Sequence, residues 1–134
     1  MDHIRCVGGI VHDAAGRLLL IRRANRPARG RWSLPGGRVE PGETDHAAVA
    51  RELAEETGLT VDVGPFVGSI TREPYLINDY RCLVRGGRLT PGDDASDARW
   101  IDHRELTRMD YHDQLTENLV DTLREWNMLP RDSQ

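Results

Sequence analysis

The sequence predicts an α+β domain, with a mixed β-sheet and helices packed on it. Three observations lead there. Several short runs are rich in β-branched and apolar residues and are separated by Gly- and Pro-containing turns. One central segment, residues 44–57, has helical periodicity. A second amphipathic segment, residues 113–126, places Leu115, Leu119 and Leu123 on one face. The 134 residues suffice for one domain with its own core, residues 1–134, and not for two.

The elements follow in order. Residues 4–11 run apolar and read as a strand. Asp13-Ala-Ala-Gly16 is a turn, and residues 17–21 form a second strand expected to pair with the first as a hairpin. Residues 22–31 are an Arg- and Pro-containing loop. Residues 32–34 are extended and end at Pro35-Gly36-Gly37. Glu40-Pro41-Gly42-Glu43 has Pro and Gly where a type II turn needs them. Thr44 can cap the helix that follows, and Gly58 can end it in a left-handed conformation. Residues 61–71, 75–84 and 98–101 read as further strands. Gly86-Gly87 and residues 91–94 read as turns, and the C-terminal helix closes the chain.

Composition narrows the function. Hydrophobic residues make up 38% and charged residues 30%, a globular balance rather than a disordered one. The net charge of −4 argues against a nucleic-acid polymer as partner. No apolar run is long enough for a membrane span, and no signal peptide is visible, so a cytoplasmic protein is expected. Cys6 and Cys82 lack metal-ligand spacing and read as reduced core thiols.

The chemistry concentrates on the central helix. On a helical wheel Ala47, Ala50, Leu53 and Ala54 fall on one arc, which suggests a small apolar face for close packing. Glu52, Glu55 and Glu56 fall opposite, at i, i+3 and i+4. Like charges so spaced repel, and a divalent cation would offset the repulsion. Carboxylate oxygens suit a hard ion such as Mg²⁺, with Mn²⁺ as a substitute. Arg51 can pair with Glu55. A bare Glu-x-x-Glu-Glu is ordinarily a solvated helix face, so the flanking residues decide.

Those residues are Gly37, then five positions to Glu43, then seven to Arg51-Glu52-Leu53-Ala54-Glu55-Glu56-Thr57-Gly58-Leu59. Chance would produce the seven fixed Gly, Arg and Glu positions with a probability on the order of 10⁻⁶ over the chain. The segment resembles the Nudix hydrolase signature at every fixed position. Gly-Arg-Trp-Ser-Leu-Pro-Gly-Gly before it and Ala98-Arg99-Trp100 after it resemble the family as well.

The resemblance implies an α/β/α sandwich and Mg²⁺-dependent hydrolysis of a nucleoside diphosphate linked to another group, by attack of water on phosphorus. It implies Glu52, Glu55, Glu56 and the Gly37 carbonyl as metal ligands. Glu55 is a candidate general base, and Glu43 and Arg51 orient the ligands. It also implies an acidic residue on a later loop. Asp94 is favoured over Asp93 and Asp97. Arg22, Arg23, Arg31 and Arg38 are candidate substrate contacts, drawn from an Arg-rich stretch that includes Arg26 and Arg29. Trp32 and Trp100 are expected in the core. Tyr75 and Tyr80 could stack on a base, and His112 is expected at a cap or on the surface.

Pro74 lies 15 residues beyond Leu59, as in the branch of the family that hydrolyses ADP-ribose. The leading expectation is therefore ADP-ribose or a related nucleoside diphosphate sugar. The alternatives are an oxidised nucleoside triphosphate, releasing pyrophosphate, and a non-catalytic nucleotide-binding module. The partner expected is a small nucleotide, and a second copy of the chain is the one protein partner left open.

Overall fold

A computed structural model describes residues 2–92 and 94–132. The strands are β1 (Ile4–Val11), β2 (Leu18–Arg23), β3 (Trp32–Ser33), β4 (Gly36–Arg38), β5 (Leu59–Arg72), β6 (Tyr75–Gly87) and β7 (Ala95–Ile101). The helices are α1 (Asp45–Thr57), α2 (His103–Tyr111) and α3 (Leu119–Glu125). One sheet has the order β4-β1-β6-β5, with β1 parallel to β6 and the other pairs antiparallel. The second has the order β3-β2-β7 and is antiparallel. The α+β class with a mixed sheet is as the sequence predicts.

The expected hairpin between the first two strands does not form. Its turn does: Gly16 N donates to Asp13 O at 2.9 Å, and the Asp13 carboxylate accepts from Ala15 N and Arg17 N. The strands then part into different sheets, with a bridge between His12 and Leu18 at the turn. Burial explains this. Val7 and residues 10–11 of β1 and 18–21 of β2 are almost wholly covered, so each strand needs partners that bury both faces. The cores built on α1 and on the last two helices supply that cover, while β4 and β6 pair along the edges of β1, and β3 and β7 along those of β2.

Two cores result. Ile10, Leu18, Leu20, Trp32 and Ile101 pack with Leu106, Met109, Leu119 and Leu123 of the last two helices. Val7, Val11, Leu19, Leu59, Val61 and Cys82 pack with Ala48, Val49 and Leu53 of α1. The buried face of α1 differs from the predicted one. Ala47 and Ala54 are exposed, while Ala48, Val49, Glu52, Leu53 and Glu56 are buried. The close approach comes from the strand instead. At Gly9 an added Cβ would lie 2.8 Å from Leu53 Cδ2, so α1 rests directly on the β1 backbone. Consequently Glu52 and Glu56 lie at the edge of the packed face, not on a solvated one.

Both predicted caps of α1 are present. Thr44 Oγ1 accepts from Ala47 N at 3.1 Å, and Gly58 has φ 73° with its N–H on Ala54 O.

The C-terminal segment is corrected. Residues 113–118 are not helical, since Asp113 and Asn118 have φ of 56° and 62°, and Leu115 bridges to Trp32. The helix there is the shorter α3. α2 was missed, although Asp102 carries its signal by accepting from Glu105 N at 2.8 Å as N-cap. His112 is the C-cap of α2 rather than the start of the last helix. Cys6 and Cys82 are free thiols, half-buried and buried respectively. No helix among the described residues is long and apolar enough to cross a membrane.

Candidate active site

The turn before α1 and the first turns of α1 are tied by one guanidinium. Arg51 Nε donates to Glu43 Oε2 at 2.7 Å and Arg51 Nη2 to Glu43 Oε1 at 2.8 Å, a bidentate fork. The same group donates to Arg38 O at 2.9 Å and to Glu52 Oε1 at 3.0 Å, and reaches Glu55 at 3.3 Å. Glu43 in turn accepts from Glu40 N at 2.9 Å, closing the turn. This pairing holds the Glu43 carboxyl down to about 2 and keeps Arg51 charged. Glu43 and Arg51 thus brace the turn at residues 40–43 against α1.

Glu52 and Glu56 are buried and face an open cleft of about 1090 Å³. Glu56 accepts from Gly36 N at 2.6 Å. Burial pushes its carboxyl up to about 8; the Gly36 N–H opposes this, and the charge of Glu52 adds to it. Burial also raises Glu52, against the pull of Arg51. Two buried carboxylates facing one cleft without a full counter-charge are a donor pair of the kind a hard cation would suit.

Gly37 completes the cradle, because a Cβ there would meet Glu52 Cδ at 2.5 Å. Gly37→Ala is expected to retain the fold, since the Glu52 tip can swing aside. It is expected to lose activity by about 100-fold through displacement of that carboxylate. Circular dichroism with steady-state turnover checks this; unchanged turnover would remove Gly37 from the site.

Glu55 is placed differently. It is exposed, leans on Arg51, and is not among the residues that line the cleft. Among the described residues no three His, Cys, Asp or Glu side chains converge as a ready-made metal centre.

Asp94 is brought to the cleft, beside Asn25, whose Nδ2 donates to it at 3.1 Å. The loop that carries it is pinned on α1: Thr90 N donates to Thr57 O at 2.8 Å and Gly92 N to Glu56 O at 2.9 Å. Gly92 is required there, since a Cβ would collide with the Glu55 carbonyl. Asp97 is turned away and pairs with Arg99 at 2.9 Å. Asp93 lies outside the described residues.

The arginines divide. Arg23, Arg26, Arg31 and Arg38 line the cleft. Arg23 donates to Pro27 O, Arg31 grips Asp113, and Arg38 lies over the Tyr75 ring. Arg22 does not join them. Successive strand residues face opposite sides, and Arg22 faces a separate small cavity with Asp97, Arg99 and Arg108. Its expected role as a substrate contact is withdrawn. Tyr75 lines the cleft, whereas Tyr80 is on the other face, donating to Asp45 Oδ2 at 2.7 Å. Trp32 is in the core with the last two helices, and Trp100 packs partly buried against the other core, the one on α1. Sequence reasoning missed Asp79, a buried carboxyl on β6 that also lines the cleft.

A glycine-lined pair of buried glutamates on a capped helix, braced by Arg51, thus opens on an arginine-walled cleft. A family model described as NUDIX domain matches residues 2–123, and the chain belongs to the Nudix hydrolase family. It is similar to an ADP-ribose pyrophosphatase of Methanocaldococcus jannaschii, with 40% identity over 121 residues, covering 85% of this chain and 71% of that one. It is also similar to a putative 8-oxo-dGTP diphosphatase 2 of Mycobacterium tuberculosis, with 38% identity over 118 residues, covering 83% and 81%. Among solved structures, a NUDIX hydrolase from Nitrosomonas europaea superposes with a TM-score of 0.80 at 24% identity, covering 98% of this chain and 77% of that one.

Proposed function

We propose that the chain hydrolyses the diphosphate of ADP-ribose or a related nucleoside diphosphate sugar. The observation that carries this is the pair Glu52 and Glu56, buried beside Gly37 and opening on a cleft large enough for such a molecule. The relative named ADP-ribose pyrophosphatase supports the choice of substrate.

Glu52, Glu56 and the Gly37 carbonyl would hold Mg²⁺, an all-oxygen donor set that suits a hard cation. When bound, the cation neutralises charge on the diphosphate and lowers the pKa of water. Glu55, exposed beside Arg51, can take a proton from the attacking water. Asp94 offers a further carboxylate in the cleft, on the loop pinned to α1. Arg23 and Arg38 supply positive charge for the phosphates on the facing wall. Arg51 holds Glu43 and Glu52 in register.

Hydrolysis of an oxidised nucleoside triphosphate is the second reading, favoured by the relative named 8-oxo-dGTP diphosphatase. A panel of ADP-ribose, nucleoside diphosphate sugars, 8-oxo-dGTP and dGTP, with Mg²⁺, separates the two. Release of AMP from ADP-ribose is expected, with loss in EDTA and recovery on adding Mg²⁺ or Mn²⁺. Turnover of a triphosphate alone would replace the first reading with the second. Full activity in excess chelator would overturn both.

A further inference from the structure

We propose that Asp79 reads the nucleobase: its carboxyl accepts a hydrogen bond from an N–H on the base edge and so favours bases that present one. This rests on the nucleotide reading of the cleft. Asp79 is 2% exposed and lies in the cleft lining. The described residues give its carboxyl no hydrogen bond, and only the charge of Arg72 offsets the desolvation that raises it. Among the described residues no fully buried side-chain oxygen lacks a partner, so the Asp79 oxygens open on the cleft, where a donor brought by a ligand can reach them.

The fold builds this placement. In the parallel register Gly8 stands beside Asp79, and a Cβ at Gly8 would collide with Asp79 Oδ1. Glycine there makes room for the carboxyl. Strand alternation puts Ile77 on the same face as Asp79, and the neighbouring Ile70 of β5 pairs with Ile77. Both line the cleft, as do Leu34 and Leu115, so apolar walls suited to a flat ring flank one acceptor.

Gly8 also pairs with Gly36, the residue whose N–H meets Glu56. The Asp79 backbone is therefore two strand spacings, roughly 10 Å, from Gly36, and its carboxyl, which reaches over Gly8, lies nearer the glutamate end than that. A ribose separates a phosphate from its base by a similar reach.

The test uses the full chain with Mg²⁺ and three probes: ADP, GDP and purine-riboside 5′-diphosphate, whose base has neither an amino group nor a ring N–H. Calorimetry is expected to give at least about ten-fold tighter binding of ADP or GDP than of the third, the range of a hydrogen bond to a charged group. Asp79→Ala is expected to bring the three within about three-fold, with a melting temperature at pH 8 no lower than that of the unmodified protein. Asp79→Asn keeps an acceptor and is expected to retain part of the preference; it carries the test should the Ala variant fail to fold. Equal binding of all three by the unmodified protein, or an unchanged preference in the Ala variant, would overturn the role of Asp79. A drop of several degrees in melting temperature with the preference intact would make the residue structural. Absence of both binding and hydrolysis of every nucleotide would instead overturn the nucleotide reading, and the inference with it.

Discussion

Glu56→Gln is expected to lower turnover on the order of a thousand-fold while making the metal-free protein more stable at pH 8 and above. The two effects share one cause. Glu56 is buried, and burial pushes its carboxyl up to about 8. Glutamine keeps an oxygen for the Gly36 N–H but carries no charge. A cation would lose a ligand, and the apo protein would lose a buried negative charge.

The sign follows from linkage. The folded-state carboxyl titrates near 8 and the unfolded one near 4.5. Its stabilising contribution is complete below about 4.5 and is lost as the pH rises through about 8. The loss is on the order of 4–5 kcal/mol, a large share of a small domain's stability. Glu52 is shifted in the same direction and adds to the slope. Metal-free protein should therefore melt lower at pH 8.5 than at pH 5.5, and Mg²⁺ should stabilise more at the higher pH because it favours the ionised pair. Glu56→Gln should flatten most of that slope. Melting curves at several pH values, with EDTA or with Mg²⁺, measure each part. A variant with normal turnover, or one whose pH slope equals that of the unmodified protein, would refute the assignment.

The local signals in the sequence were read correctly because they act over a few residues. Thr44 and Gly58 cap α1 through bonds to Ala47 and from the Gly58 N–H to Ala54, which any isolated helix would make. The spacing of Glu52, Glu55 and Glu56 is set by the helical repeat alone. What failed depends on partners distant in sequence. The turn at residues 13–16 looks like a hairpin turn, and only the burial of both flanking strands sends them to separate sheets. The alanine arc of α1 is a fair packing face, yet Gly9 of β1 chose another. That choice brings Glu52 and Glu56 into the cleft wall and leaves Glu55 out of its lining.

The same reason hid Asp79 and exposed Arg22 as misplaced. An Asp inside an apolar strand carries no local signal of which face it takes, and strand parity decides it. Register with Gly8 turns Asp79 inward. Parity in β2 sends Arg22 away from the cleft and leaves Arg23 in it. The face that a helix residue takes was legible from spacing on α1, whereas the face of Arg22 and Asp79 on their strands was not.

Arg51→Ala is the second large effect expected, with activity lowered by about 10- to 100-fold although Arg51 is not among the residues lining the cleft. Arg51 is the counter-charge shared by Glu43, Glu52 and Glu55, and it also binds the Arg38 carbonyl. Without it, Glu43 loses its fork and Glu52 loses the bond at 3.0 Å that fixes its carboxylate. The turn at residues 40–43 then has one fewer tie to the helix. Arg51→Lys should recover little, because an ammonium cannot make the paired bonds to Glu43 while reaching both Glu52 and the Arg38 carbonyl. The expected signature is a higher Mg²⁺ concentration for half-maximal rate, together with a lower melting temperature in both variants. The affected carboxylates would be ionised and unpaired, so excess Mg²⁺ should restore part of the rate and none of the Glu43 contact. A Lys variant matching the unmodified protein in metal requirement and stability would show that the guanidinium's geometry is not what positions Glu52.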